Sequence, residues 1–141
     1  MVEFIYREEE SRLLGKVLRP VAEIDIRANG AEWFPTLMYV DSGADISLVP
    51  RSFGQLLGLD VSKNLGEVRG IGEAVVPLSL QTVKMKIGPD TVEVKIAVAL
   101  INEVPYILGR HDFFKFFKVT FEEYSKKIVV EKVQIAGSDR K

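Results

Sequence analysis

The chain has 141 residues, which is the length of one ordinary domain, and 47% of them are hydrophobic, enough for a sizeable core. Lysine and arginine total 19 against 20 aspartates and glutamates, so the net charge of -1 gives no electrostatic reason to expect nucleic acid or an anionic membrane as a partner. With no cysteine and one histidine, disulfides and thiol chemistry are excluded and transition-metal ligands are scarce. We therefore expect neither a metal nor another cofactor.

The start of the chain carries no signal peptide that we recognise. The start, MVEFIYREEESR, has neither the basic region nor the long apolar stretch of a secretory signal, and REEE at 7–10 is most simply a solvated charge run. The apolar stretches of the chain fall far short of the roughly 20 residues that a membrane-spanning helix needs. We expect a cytoplasmic protein that forms one domain over 1–141, with flexible tails at about 1–12 and 136–141.

The first half of the chain contains strand patterns and one short helix pattern. Ile24 and Ile26 alternate with charged residues in EIDIRANG, which indicates a half-buried strand. TLMYV at 36–40 and ISLV at 46–49 are apolar strand candidates on either side of a short polar segment. PRSFGQLLG at 50–58, with proline first and glycine last, predicts a short helix.

The second half continues in the same way. TVKMKIG at 82–88 and TVEVKIAVAL at 91–100 both alternate apolar and charged residues, and GPDT at 88–91 is a turn, so these segments predict a hairpin. HDFFKFFK at 111–118 predicts a second short helix with Asp112 near the N-cap, and KKIVVEKVQI at 126–135 predicts another strand. Several short strands separated by turns predict a small all-β barrel or sandwich.

The polar segment between the two apolar strands begins with a carboxylate. Asp41 directly follows TLMYV, and Ser42, Gly43 and Ala44 then form a tight turn. Glycine in this turn lets the backbone bend and another molecule approach. A carboxylate held at such an apex is a candidate for acid–base chemistry. The alternative is an Asx turn, in which aspartate and serine serve only local hydrogen bonding.

Three segments in order resemble one known family. VDSGADISLVP at 40–50 resembles the active-site loop of the retropepsin-like aspartic proteases, the family of the retroviral proteases. VRGIGEAVVPL at 68–78 resembles their flap, and YILGRHDFF at 106–114 resembles their second signature, which is followed by a short helix. The resemblance runs from about residue 20 to about residue 130. It implies an all-β fold, a small closed barrel with one or two short helices and a flap hairpin over the active site.

The resemblance also implies roles for individual residues. Asp41 is expected to be catalytic. The active-site loop and substrate-binding residues are Ser42, Gly43, Ala44 and Asp45; the flap residues are Arg69, Gly70, Ile71 and Gly72; and Arg110 is a structural brace paired with Asp45. For the flap residues the simpler alternative is a plain hairpin without a lid. For Arg110 it is an arginine at the surface. A dinucleotide-binding loop at 70–75 is rejected because Val75 stands where the third glycine is required.

The aspartic protease mechanism needs two carboxylates, and the chain supplies one motif. Of seven aspartates, only Asp41 is followed by Ser/Thr-Gly. We therefore expect a homodimer in which Asp41 of each chain meets at a two-fold axis, acting as an endopeptidase on a peptide or protein substrate. The sequence argues against a serine hydrolase, since no G-x-S-x-G is present and His111 is the only histidine. The alternative function is a non-catalytic peptide-binding or dimerisation module that retains the fold.

Overall fold

The computed structural model describes residues 1–69 and 74–134, and most of them lie in strands. The strands are β1 (Val2–Ile5), β2 (Arg7–Ser11), β3 (Gly15–Arg19), β4 (Val21–Arg27), β5 (Phe34–Val40), β6 (Leu48–Val49), β7 (Leu65–Arg69), β8 (Val75–Ile87), β9 (Asp90–Ala99), β10 (Ile107–Leu108), β11 (Phe117–Glu122) and β12 (Lys127–Lys132). The helical elements are α1 (Arg51–Leu56), a π-helical segment (Arg110–Phe114) and a 3₁₀ turn (Glu123–Ser125). Among the described residues, no helix is long and apolar enough to cross a lipid bilayer.

Seven strands form the main sheet, in the order β4-β5-β10-β6-β9-β8-β7. An additional antiparallel pairing of β4 with β8, from Asp25↔Lys86 to Arg27↔Lys84, closes this sheet on itself. The short strand β10 lies parallel to β5 and antiparallel to β6, and so joins the two strands that flank the Asp41 loop. The expected all-β fold with few short helices is confirmed.

The core of the sheet follows from the period-two pattern of the sequence. In β8 the side chains of Val83, Met85 and Ile87 are buried, whereas Lys84 between them is exposed. β9 alternates in the same way and pairs with β8 from Leu78↔Ala99 to Ile87↔Asp90. The hairpin predicted from TVKMKIG, GPDT and TVEVKIAVAL is therefore confirmed, and β8 extends further towards its N-terminus than the alternation indicated.

Two smaller sheets involve the N-terminal residues. β1 pairs antiparallel with β12, which pairs antiparallel with β11, and β2 pairs with β3 as a separate hairpin. The flexible tail expected at about 1–12 is thus corrected, because residues 2–5 pair with β12 and residues 7–11 pair with β3. The tail expected at 136–141 lies outside the described residues.

The two predicted helices differ in how well their bounds were anticipated. α1 follows Pro50 and ends before Gly58, as expected. The second helix was predicted over 111–118, but helical residues end at 116 and β11 begins at Phe117, because residues 117–122 pair with β12 along their whole length. Its N-cap is Gly109, so Asp112 lies within the helical segment instead of near the cap position. Phe113 stacks on Phe117 with ring centroids 5.1 Å apart and anchors this junction in the core.

Candidate active site

Asp41 directly follows β5 and points its carboxylate into an exposed turn. Its backbone N–H donates to the carbonyl of Leu108 at 3.1 Å, and its own carbonyl accepts from the N–H of Ala44 at 3.1 Å. The Gly43 N–H donates to Asp41 Oδ1 at 2.9 Å. This last bond is the Asx-turn geometry of the simpler alternative, and it also orients the carboxylate that the catalytic interpretation requires. The Asp41 side chain is exposed in this single chain.

The loop that follows Asp41 is fixed against the start of the π-helical segment. The Arg110 N–H donates to the carbonyl of Ala44 at 3.0 Å, and the His111 N–H donates to the carbonyl of Asp45 at 2.8 Å. Gly109 fits closely here, since a Cβ at this position would lie 2.4 Å from the carbonyl carbon of Ile46. The first and last of the three family-like segments are therefore in direct backbone contact.

A buried carboxylate that the sequence indicated only as a residue near a helix N-cap joins the same two segments. Asp112 is 3% exposed, and its Oδ1 accepts from the Ser47 N–H at 2.8 Å. The Ser47 hydroxyl in turn accepts from the Gly109 N–H at 2.9 Å. Burial raises the pKa of Asp112, and the bonds from Ser47 oppose that shift. The phenylalanines that follow Asp112 in the sequence are a signal that it is buried, whereas its place at the start of the predicted helix favours a capping role.

Arg110 contacts the partner that the resemblance suggests. Its Nη2 lies 2.6 Å from Asp45 Oδ1, and the two side chains are 58% and 81% exposed. The Arg110 side chain is therefore mostly exposed, and the pair lies in solvent, where exposed ion pairs contribute little to stability. The bracing role of Arg110 stays a prediction.

One cavity separates the Asp41 loop from strands β7 and β8. It has a volume of about 450 Å³, and the loop side is formed by Asp41, Gly43, Ala44, Asp45 and Ile46. The facing wall includes Val68 and Arg69 of β7 and Val76 of β8. Of the predicted flap residues, Arg69 thus lines the same cavity as Asp41, whereas Gly70, Ile71 and Gly72 lie outside the described residues.

A second cavity of about 630 Å³ opens on the other side of Asp41 and includes Ser42. Its wall contains a polar cluster that the sequence did not reveal, in which the Tyr39 hydroxyl donates to Glu9 at 2.6–2.7 Å and Arg19 Nε lies 3.2 Å from Glu9 Oε1. The hydrogen bond to Glu9, together with burial, raises the pKa of Tyr39. Glu9 belongs to the REEE run, which the sequence predicts to be solvated. Its hydrogen bond from the distant Tyr39 sets it apart from the other glutamates of that run.

The described residues offer little that could bind a metal ion. Within 1–69 and 74–134 there is no group of three or more histidine, cysteine, aspartate or glutamate residues placed to hold one. The polar groups at the Asp41 loop are carboxylates and backbone N–H groups.

Comparisons with known proteins agree on the kind of protein. The family model described as aspartyl protease matches residues 24–111. Among solved structures, EIAV protease complexed with the inhibitor HBY-793 is 26% identical with a TM-score of 0.52, over 65% of this chain and 82% of that one. A retropepsin-like aspartic protease from Rickettsia conorii is 18% identical with a TM-score of 0.58, over 93% of this chain and 99% of that one, and supports the fold. No curated protein sequence matches significantly. Because the family model spans well over half of the chain, the protein belongs to the aspartyl protease family and has the retropepsin-like fold.

Proposed function

We propose that the protein is an aspartic endopeptidase that acts as a homodimer, with the Asp41 carboxylates of the two chains side by side at a two-fold axis. The observation that carries this proposal is the setting of Asp41, which is oriented by the Gly43 N–H, exposed, and situated at the walls of two cavities. No other aspartate of the chain is followed by Ser/Thr-Gly, so a second carboxylate of the same kind has to come from a second copy.

The chemistry follows from placing two carboxyl groups at hydrogen-bonding distance. They cannot both ionise, so the pair holds one proton and titrates with two separated apparent pKa values. The ionised carboxylate removes a proton from a bound water as the water oxygen attacks the peptide carbonyl, and the protonated one donates to the carbonyl oxygen. The resulting tetrahedral species collapses as the nitrogen is protonated and the C–N bond breaks. The general principle of this dyad is well established for aspartic proteases.

The proposed substrate site is the space between the Asp41 loop and β7–β8. An extended peptide in this cavity would pass Gly43, Ala44 and Asp45 on one side and Val76 on the other. We assign the flap to Arg69, Gly70, Ile71 and Gly72 by resemblance, and the place of Arg69 on the cavity wall supports that assignment. A lid of this kind would exclude bulk water during the reaction.

The direct test is Asp41→Asn. This substitution keeps the size of the side chain but removes the group that exchanges protons, and we expect hydrolysis of a peptide library at mildly acidic pH to fall at least about a hundredfold. Pepstatin, which mimics the tetrahedral species, should inhibit the wild type. Asp90→Asn at the start of β9 is the matched control and should retain activity.

The same experiment separates the protease from the alternative module. Equal and negligible hydrolysis by wild type, Asp41→Asn and Asp90→Asn would contradict the proposed activity. Peptide binding that persists in all three proteins without cleavage would then favour the non-catalytic peptide-binding module.

A further inference from the structure

The β2–β3 hairpin, residues 7–19, is attached to the rest of the molecule by few contacts. Its strands pair with each other from Arg7↔Arg19 to Ser11↔Gly15, and within the part of the chain that the structure describes neither pairs with another strand. None of residues 7–19 is buried, so the hairpin adds nothing to the hydrophobic core. A two-stranded hairpin by itself is at best marginally stable in water. The position of this hairpin therefore depends on its contacts with the main sheet.

One polar contact joins the hairpin to the main sheet. The Tyr39 hydroxyl donates to Glu9, whose two carboxylate oxygens lie 2.6 and 2.7 Å away. Among the described residues, the other side-chain hydrogen bonds and ion pairs of 7–19 are internal to the hairpin. A hydrogen bond to a carboxylate is roughly twice as strong as one between neutral groups. The Tyr39–Glu9 contact is thus the main polar attachment of the hairpin.

The space next to this contact is not closely packed. A cavity of about 630 Å³ and another of about 290 Å³ both have Glu9, Tyr39 and Pro105 among their lining residues. Packed protein interiors leave few voids larger than a water molecule. Room of this size beside the contact lets the hairpin move without displacing tightly packed side chains.

Both ends of the hairpin are fixed to the rest of the chain. Before β2, Tyr6 is buried and its backbone N–H donates to the carbonyl of Lys126 at 2.9 Å. After β3, the carbonyl of Pro20 accepts from the N–H of Val40 at 3.0 Å. Movement of the hairpin is therefore a rotation about these two ends.

The hairpin forms one wall of the larger cavity, which lies beside the candidate catalytic residue. Glu9 and Arg19 of the hairpin line this cavity together with Asp41 and Ser42. A peptide whose scissile bond lies at Asp41 extends to both sides of it, into the proposed site beside β7 and β8 and into this second cavity. The position of the hairpin therefore determines how much room the second cavity offers to a peptide.

We propose that the β2–β3 hairpin is a movable wall of the cavity beside Asp41, and that the Tyr39–Glu9 contact holds it closed against a bound peptide. The inference rests on the proposed function, since the cavity receives a substrate only if Asp41 is catalytic. Opening lets the peptide enter and leave, and closure excludes water from it. Elements that move in this way have low local stability, which agrees with the exposure of residues 7–19. Tyr39 acts in the reaction through the hairpin, as a positioning residue.

The attachment can be tested without any ligand, by deuterium exchange of backbone amides. Tyr39→Phe removes only the hydroxyl oxygen, and we expect the amides of 7–19 to exchange at least about tenfold faster while those of β4 keep their wild-type rates. Glu9→Ala should act similarly, and adding Tyr39→Phe to it should change the rates little further, because both substitutions break one contact. Glu10→Ala, exposed on the same strand, is the matched control and should leave the rates unchanged.

Peptide hydrolysis then connects the hairpin to the reaction. Tyr39→Phe should raise KM about threefold or more and change kcat by less than about twofold, because a smaller closed fraction weakens binding while the reacting groups are unaltered. In the wild type, pepstatin should slow the exchange of 7–19, since a ligand that binds better to the closed hairpin must also favour closure. If Tyr39 served only the stability of the sheet, exchange would rise in β4 as well and KM would stay unchanged.

Three outcomes separate this inference from the proposed function. Exchange rates at 7–19 that Tyr39→Phe leaves unchanged, or raises equally in β4, would overturn the inference. Faster exchange with an unaltered KM would also overturn it, because the hairpin would then not border the bound peptide. Hydrolysis that survives Asp41→Asn would instead contradict the proposed function, and the exchange rates would still show whether Tyr39 holds the hairpin.

Discussion

Three aspartates near the candidate site have three different environments, which determine what each can do. Asp41 is exposed and oriented by one backbone N–H, which leaves its carboxylate open to water or substrate. Asp45 pairs with Arg110 in solvent, where such a pair contributes at most about 1 kcal/mol. Asp112 is buried and connects the loop after Asp41 to the helical segment through Ser47. Of the three, Asp112 therefore has the strongest structural role.

The raised pKa of Asp112 predicts how stability depends on pH. Burial raises this pKa, so the native protein holds the proton at pH values where the unfolded chain has lost it. The contribution of Asp112 to the free energy of unfolding therefore falls as pH rises from the unfolded pKa, about 3.9, through the raised native pKa. Asp112→Asn cannot titrate, and we expect its free energy of unfolding, relative to wild type, to increase between about pH 4 and about pH 7. Urea titrations of both proteins at the two pH values measure this difference.

Asp60 offers a control of opposite sign. Hydrogen bonds from Ser62 lower its pKa, so Asp60 stabilises the native protein above its unfolded pKa and loses that contribution as pH falls. Asp60→Asn should therefore lose stability relative to wild type as pH rises towards about 4, where Asp60 ionises, whereas Asp112→Asn gains it between about pH 4 and about pH 7. If Asp112→Asn and wild type keep a constant difference between about pH 4 and about pH 7, Asp112 has no raised pKa.

At the level of elements, the junction between β10 and the π-helical segment depends on Gly109. A Cβ there would lie 2.4 to 2.8 Å from three backbone atoms of Ile46, which cannot rotate away as a side chain could. We expect Gly109→Ala to lower the free energy of unfolding by about 1–3 kcal/mol, since the Asp41 loop must shift. Gly66→Ala in β7 is the matched control, because its Cβ would meet only Leu78 Cδ1 at 3.8 Å and should change stability by less than about 0.5 kcal/mol. Equal denaturation midpoints for the two variants would show that the loop tolerates the shift.

The elements also show how far the sequence could predict this molecule. β8 and β9 could be predicted because alternation over many residues specifies which face of each strand is buried. β10 has only two residues, Ile107 and Leu108, and is defined by its neighbours β5 and β6, so no local period could reveal it. Glu9 and Tyr39 are 30 residues apart, and their hydrogen bond depends on how the β2–β3 hairpin folds back. Asp41 could be identified from its motif, but the hydrogen bonds of its loop to residues 108–111 follow from chain topology.

At the scale of the whole molecule, the chain closes its main sheet within one copy through the pairing of β4 with β8. It supplies one Asp-Ser-Gly motif, whose carboxylate, Asp41, is exposed. The proposed homodimer would supply the second carboxylate, so activity and assembly should depend on each other.

This dependence predicts that an inactive chain will suppress an active one. When wild type at a fixed concentration is mixed with an equal amount of Asp41→Asn, random exchange places about half of the wild-type chains in mixed dimers, and the hydrolysis rate should fall to about half. A threefold excess of Asp41→Asn should lower the rate to about a quarter, because a mixed dimer has only one Asp41 carboxyl group instead of the two that the mechanism needs. This suppression is measured from initial rates at total chain concentrations well above the dimer dissociation constant. The peptide is kept in large excess so that the inactive chain cannot deplete it. Adding Asp90→Asn instead should increase the rate, and a rate that Asp41→Asn leaves unchanged would mean that each chain carries a complete site of its own.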